Sequence, residues 1–276
     1  MLMHNWVFLN DRFVPENEAV LSYRDLSFQR GYGIFDFFRL RGNTPLFLED
    51  HLDRFYFSAE SAHLLPPLER EALKAVVFEL LNRNNRPDTG VRLSLTGGYS
   101  EDGFNIGKPT LLLSQHPFSA PTEKQVRQGI KLLSYAYQRP LPQIKSIDYL
   151  MAIWLQPKRI ENGADDLLYV QDGYISECPR SNFFLVTEDD RLVTPAQNAL
   201  PGITRKKVLE IAKQKFITEE RPVAYEEIFT AKEAFITSTT KQILPVAQID
   251  SHSFLQNRIS HQLLQLFKTY WTNALV

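Results

Sequence analysis

The chain has 276 residues, 43% hydrophobic and 23% charged, with a formal net charge of −1. That is enough for one large domain or two medium ones of ordinary globular composition. Near-neutral charge excludes the basic footprint of a nucleic-acid or anionic-membrane binder, and a single cysteine, Cys178, excludes an intramolecular disulfide framework.

The opening Met1-Leu2-Met3-His4-Asn5-Trp6 lacks the basic stretch and long apolar core of a signal peptide. No apolar run approaches the roughly 18 residues of a membrane span. The expectation is a soluble, cytoplasmic protein. Trp6 to Val14 reads as a hairpin around Asn10-Asp11. Phe35 to Leu40 is an apolar strand, Arg41 to Pro45 the turn after it, and Phe47-Leu48 the start of a returning strand. Glu49-Asp50-His51 opens a helix to about His63, with acids in the first turn where the helix dipole favours them. Leu52, Phe55, Ala59 and Ala62 share one face of it. Pro66-Pro67 breaks that helix, and Glu69 to Arg83 is a second.

Val91–Thr96 and Thr110–Ser114 are predicted strands around a polar, Gly-rich loop, Gly97–Phe104. Pro117 to Thr122 reads as the link between two halves. Beyond it, Leu167–Val170, Phe183–Val186 and Ala234–Thr237 are short apolar runs expected to be buried strands. Helices are expected at Ser146–Asn162, Thr204–Gln214 and Ser260–Tyr270. With no internal repeat and no clear βαβ repeat, the class is α+β, in two domains with a small N-terminal one.

Lys145 follows Pro140-Leu141-Pro142 and Ile144 and enters a segment with Tyr149, Leu150, Ile153 and Trp154. Most lysines are solvated surface charges. An apolar setting disfavours the ammonium and favours an imine-forming amine. Glu177 reads either as an ordinary edge carboxylate or as the partner of a buried cation. Leu200-Pro201-Gly202-Ile203-Thr204-Arg205 runs straight into a helix, a junction that offers free N–H groups to a phosphate. It equally suits a plain cap, with Thr204 as the N-cap. Ser238-Thr239-Thr240 follows an apolar strand and offers hydroxyls and turn amides. Gly31-Tyr32-Gly33 lacks the strand–turn–helix of a phosphate loop. Glu49, Asp50, His51 and Asp53 fit a helix N-terminus, so no metal is expected.

These stretches occur together, in order: Gln143 to Leu150 with Lys145, Tyr174 to Phe184 with Glu177, and Leu200 to Arg205. They resemble the active-site motifs of the class IV, or fold type IV, pyridoxal-phosphate enzymes. That family includes branched-chain aminotransferases, D-amino acid aminotransferases and aminodeoxychorismate lyases. Arg30-Gly-Tyr-Gly-Ile-Phe-Asp36 resembles its stretch ending in Gly-x-Phe-Glu. Asp50-His-Leu-Asp-Arg54 with Ser58-Ala59 resembles its His-x-x-Arg-x-x-x-Ser-Ala helix. The resemblance covers nearly the whole chain. It implies a smaller N-terminal α/β domain (1–118) and a larger C-terminal pseudo-barrel domain carrying the cofactor lysine (119–276). It also implies pyridoxal 5'-phosphate and a homodimer.

Carried across, Lys145 is the Schiff-base lysine and proton carrier, and Glu177 pairs with the pyridine nitrogen. Arg54, Ile203, Thr204 and Thr239 hold the phosphate, Leu200 packs under the ring, and Tyr149 reaches the ring hydroxyl. The chain departs from the pattern at Asp36 (usually Glu), Asp148 (commonly Asn), Tyr32 (small or acidic) and Phe37 (Gly in branched-chain enzymes), the last narrowing the pocket. Arg92 resembles an arginine of the branched-chain subgroup. With the Thr239-Thr240 turn it is expected to recognise substrate carboxylates, while Phe28, Phe35 and Phe37 line an aliphatic pocket. The expected reaction moves an amino group from a branched-chain L-amino acid to a 2-oxo acid such as 2-oxoglutarate. D-amino acid transamination is the alternative, although its Arg-x-His pair has no match in Gly97–Phe104. A 4-amino-4-deoxychorismate lyase also fits the length.

Overall fold

The computed structural model describes residues 5–273. Met1–His4, part of the opening stretch read above for a leader, lie outside the described residues. The backbone forms two compact units. One reaches to Phe118 and also takes in Ile144–Asp148; the other holds Ser119–Gln143 and the chain from Tyr149 onward. The sequence-based boundary put Lys145 in the second domain, whereas its short segment packs with the first unit.

The first unit contains β1 (Trp6–Leu9), β2 (Arg12–Pro15), α1 (Leu26–Arg30), β3 (Gly33–Arg41), β4 (Thr44–Pro45), α2 (Leu48–Ser61), α3 (Arg70–Asn84), β5 (Gly90–Thr96) and β6 (Thr110–His116). The strands form one antiparallel sheet in the order β2-β1-β6-β5-β3-β4. Strand alternation divides β3 between the two faces of this sheet. Ile34, Phe38 and Leu40 pack with Leu52, Phe55 and Ala59 of α2 and Leu73, Val77 and Leu80 of α3. Phe35 and Phe37 point to the other face, paired in register with Ser94 and Arg92 of β5.

The returning strand expected at Phe47-Leu48 is confined to Thr44–Pro45. Phe47 takes a left-handed conformation (φ 54°) and Leu48 starts α2, with Glu49 and Asp50 in its first turn. The left-handed turn at Phe47 ends the extended chain and lets Leu48 open α2, whose buried face it joins with Leu52 and Phe55.

The helix expected from Ser146 begins only at Leu150. Around Lys145 the chain is instead extended along β3. The Phe35 N–H donates to the Lys145 carbonyl (2.9 Å), and the Ile147 N–H donates to the Gly33 carbonyl (3.0 Å). Edge pairing on β3 satisfies these backbone groups, and it overrides the local helical pattern.

The second unit contains α4 (Glu123–Gln128), β7 (Ile130–Ala136), α5 (Leu150–Trp154), α6 (Gln156–Glu161), β8 (Asp166–Gln171), β9 (Tyr174–Ile175), β10 (Glu177–Cys178), β11 (Ser181–Val186), β12 (Leu192–Pro195), α7 (Ile203–Ala212), β13 (Thr218–Arg221), β14 (Val223–Ala224), β15 (Glu233–Ser238), β16 (Gln242–Ile249), β17 (His252–Ser253) and α8 (Arg258–Asn273). The main sheet runs β13-β12-β11-β15-β16-β7-β8-β9-β14, with β10 on β11 and β17 on β16. Its two outer strands, β13 and β14, are separated in the chain by Pro222 alone. The sheet therefore curls back on itself into a nearly closed barrel. Ile130, Leu132, Leu168, Phe183, Leu185, Ile236 and Val246 fill its core. Parallel β7 and β8 are joined through α5 and α6.

Candidate active site

In the first unit, one face of α2 carries His51, Arg54 and Ser58, spaced to align on a helix. All are buried, and they meet Asp36 of β3 and the Lys145 segment. Arg54 Nε donates to Asp36 Oδ2 and Arg54 Nη2 to Asp36 Oδ1, both at 2.8 Å. This planar fork is the geometry guanidinium and carboxylate prefer. His51 Nδ1 lies 2.7 Å from Asp36 Oδ1. Burial alone would raise the Asp36 pKa, but Arg54 and His51 outweigh it and hold the carboxyl well below its usual range. Burial lowers the His51 pKa, with Arg54 and Lys145 acting in the same direction against Asp36. Such a ring is neutral near neutral pH and donates from Nδ1 to the carboxylate. The Lys145 N–H donates to Ser58 Oγ (3.3 Å), so α2 also anchors the lysine backbone.

Lys145 Nζ lies 4.6 Å from the centroid of the Phe35 ring, and the Arg92 guanidinium carbon lies 4.0 Å from the same centroid. Arg92 Nε donates to Ser94 Oγ at 3.1 Å. Lys145, Phe35 and Arg92 are thus brought together. Leu150, Ile153 and Trp154 belong to the other unit, where they are exposed on α5; within the first unit Phe35 is the apolar neighbour of Lys145. Phe28, expected to line the substrate pocket, is 79% exposed on α1 and forms no buried wall of this unit. The Phe37 ring is occupied elsewhere. It lies over Gly90, where an added Cβ would come within 2.1 Å of it, and edge-on to Phe118. The pocket narrowing expected from Phe37 therefore has no support within this unit.

In the second unit, Glu177 sits on β10 and is 4% exposed. Its Oε1 accepts from Arg139 Nε at 2.7 Å, and its Oε2 accepts the Leu200 N–H at 2.9 Å. Arg139 Nη2 reaches the Pro142 carbonyl. Asn182, opposite Glu177 in the ladder, donates to the Leu200 carbonyl at 2.7 Å. Gly202 follows at the start of α7. A Cβ there would stand 1.9 Å from Asn182 Oδ1, so the close approach demands glycine. Glu177, Leu200 and the Ile203–Thr204 helix start are thereby brought together. Gly202, not Thr204, is the N-cap: Asn182 holds the chain just ahead of the helix, leaving Thr204 inside α7. Tyr149 stands at the N-terminal end of α5, in the N-cap position. Thr239 and Thr240 form the tip of the β15–β16 hairpin.

The sequence motifs did not point to Arg139, Asn182 or the Asp36–His51 contact as partners. Arg139 lies 38 residues from Glu177, and no local pattern signals such a pairing. Only the helical spacing of His51, Arg54 and Ser58 was a usable hint.

The model of the amino-transferase class IV family matches residues 33–249. The chain belongs to this family. A Methanocaldococcus jannaschii protein, provisionally named a branched-chain-amino-acid aminotransferase, is 33% identical over 88% of each chain. A Bacillus licheniformis D-alanine aminotransferase is 28% identical, over 90% of this chain and 89% of the relative. In fold, the chain matches the T.th. branched-chain amino acid aminotransferase solved with pyridoxamine 5'-phosphate. The TM-score is 0.90 at 22% identity, over 99% of this chain and 96% of that one.

The second unit of this class IV aminotransferase suits a phosphorylated pyridine. α7 starts without a side-chain cap, so its first-turn N–H groups are presented to an anion. Thr237 Oγ1, opposite Asn182 in the ladder, is buried and lacks a hydrogen-bond partner among the described residues. Glu177 is a buried carboxylate beside that helix start, suited to a protonated ring nitrogen. No group of residues able to hold a metal occurs among the described residues. No helix among them is long and apolar enough to cross a membrane.

Proposed function

We propose that this class IV aminotransferase binds pyridoxal 5'-phosphate. It would transfer the amino group of a branched-chain L-amino acid to a 2-oxo acid such as 2-oxoglutarate. The observation that carries the reading is the pair of cations on one ring, Lys145 and Arg92 on Phe35. A dicarboxylate acceptor needs a second cation, and an aliphatic donor needs an apolar wall; Arg92 lying on Phe35 offers both. When bound, the cofactor supplies an electron sink that weakens the bond from substrate Cα to hydrogen.

The chain's own residues do the rest. Lys145 Nζ takes the Cα proton. The Phe35 face tolerates the resulting ammonium through a cation–π contact and gives the neutral amine an apolar neighbour. Glu177, fixed by Arg139 and the Leu200 N–H, holds a proton on the ring nitrogen. Ile203, Thr204, Thr239 and Arg54 would hold the phosphate, Leu200 would lie against the ring and Tyr149 would meet its hydroxyl. Arg92 and Thr240 bind substrate carboxylate. A cytoplasmic homodimer belongs to the same reading, supported by the exposed Leu150, Ile153 and Trp154 on α5.

The similarity to a D-alanine aminotransferase keeps stereochemistry as the sharpest question. The test is a panel of L- and D-amino acids in single turnover with 2-oxoglutarate, with aminodeoxychorismate assayed for pyruvate release. Valine, leucine and isoleucine of the L series should react fastest. Reaction confined to D-alanine, or pyruvate release without amino transfer, would overturn the assignment.

A further inference from the structure

The tip of the β15–β16 hairpin, Thr239–Lys241, is closed at its base by the rung between Ser238 and Gln242. Within the tip, the Lys241 N–H donates to Ser238 Oγ at 3.2 Å. The Lys241 side chain does something the hairpin itself does not require. Its Nζ donates to Asp166 Oδ2 of β8 at 2.7 Å and to Ser181 Oγ of β11 at 3.1 Å. Both members of the ion pair are largely buried, at 17% and 10% side-chain exposure. Asp166 Oδ1 meanwhile accepts the Leu167 N–H, which fixes the carboxylate on its strand. Ser181 faces Cys178 in the ladder, and the next rung is Glu177 with Asn182.

We propose that Lys241 is a positioning residue that sets the distance between the Thr239–Thr240 turn and the hairpin carrying Glu177. The inference rests on the reading above, in which that turn meets the phosphate and Glu177 meets the ring nitrogen. The two recognition points would contact one small molecule, whose planar ring and single CH2–O arm confine the separation of ring nitrogen and phosphate to a narrow range, so the ligand can absorb little error in their spacing. Displacements of about 1 Å are already costly in such sites. Asp166 neutralises the Lys241 charge, so the ammonium acts as a strut and not as an additional anion ligand. Because it joins the turn to β8 and β11 together, the strut holds the turn against elements distant in sequence.

The experiment compares binding of pyridoxal 5'-phosphate and of pyridoxal, which lacks the phosphate, by equilibrium dialysis. Lys241→Met leaves Asp166 buried and unpaired, so Lys241→Met/Asp166→Asn, with both charges removed, is measured beside it. In the double variant the Kd for pyridoxal 5'-phosphate should rise about tenfold or more, and that for pyridoxal less than about twofold. Lys241→Arg, which retains a cation able to reach both acceptors, should recover most of the loss. Equal weakening of both ligands would mark Lys241 as merely structural and overturn the proposal, as would unchanged binding of both. If the wild-type protein binds neither compound, the cofactor reading itself falls and this inference falls with it.

Discussion

The main-chain N–H of Leu200 donates to Oε2 of Glu177 at 2.9 Å. Through this bond, and through Asn182 on the Leu200 carbonyl, the buried acid and the segment entering α7 form one rigid element. The same acid is held from the other side by Arg139. A group meeting both Glu177 and the α7 start would thus meet partners already fixed relative to each other.

Glu177→Gln tests the charge and not the shape. The amide can still accept from Leu200, but Arg139 loses its counter-charge in a largely buried setting. Stability should fall by about 3 kcal/mol, measured by denaturant unfolding. Cofactor should remain bound, while turnover falls at least about tenfold as the ring nitrogen loses its anionic partner. Unchanged turnover would show that another group supports the ring nitrogen.

Gly202→Ala places a Cβ 1.9 Å from Asn182 Oδ1. Overpacking of this kind costs about 1–3 kcal/mol. Asn182→Ala should relieve part of it, so the double-mutant cycle should show strong coupling. Additive effects would mean that the helix start relaxes away from Asn182.

Loaded with cofactor and reduced by borohydride, the protein should carry the pyridoxyl group on Lys145, located by peptide mass spectrometry. Lys145→Ala should abolish the labelling. Recovery of the adduct on another lysine would end the assignment of Lys145.

Arg54→Lys keeps a positive charge beside Asp36 but loses the fork that uses Nε and Nη2. Phosphate affinity should fall by about 10- to 100-fold, the range expected for losing a charge-assisted contact. Arg54→Ala should in addition lose about 3–5 kcal/mol of fold stability, because Asp36 is left buried and charged. Full cofactor affinity in the lysine variant would confine Arg54 to a structural role.

Acid should destabilise the first unit in a defined order. His51 has a lowered pKa in the fold, so the unfolded chain binds more protons as the pH drops through the ordinary histidine range near 6.5. Asp36 is lowered too, so its contribution is present above the ordinary carboxylate range and is lost as the pH falls below it. Thermal midpoints should decline from about pH 7 downward. His51→Asn should flatten the upper part of that decline, and a parallel curve would show that His51 charges freely in the fold.

The sequence by itself determined most of the elements and the family. Periodicity along α2 and α3, alternation along β3, β5 and β6, and the apolar runs of β8, β11 and β15 are local signals, and they placed those elements to within a few residues. The motifs around Lys145, Glu177 and Gly202 carried the family resemblance, because each concentrates its chemistry within a few neighbouring residues. Only the tertiary structure decided what those residues touch. The edge of β3 drew Ser146 and Ile147 out of their expected helix and set Lys145, just ahead of them, beside Phe35. Gly90 drew in the Phe37 ring. Arg139 came to Glu177, and Lys241 came to Asp166, across long stretches of chain. Each of these outcomes depends on backbone pairing or on the closing of an ion pair between elements far apart in sequence. Such pairings are selected by the packing of the whole unit and leave no periodic trace in the local composition.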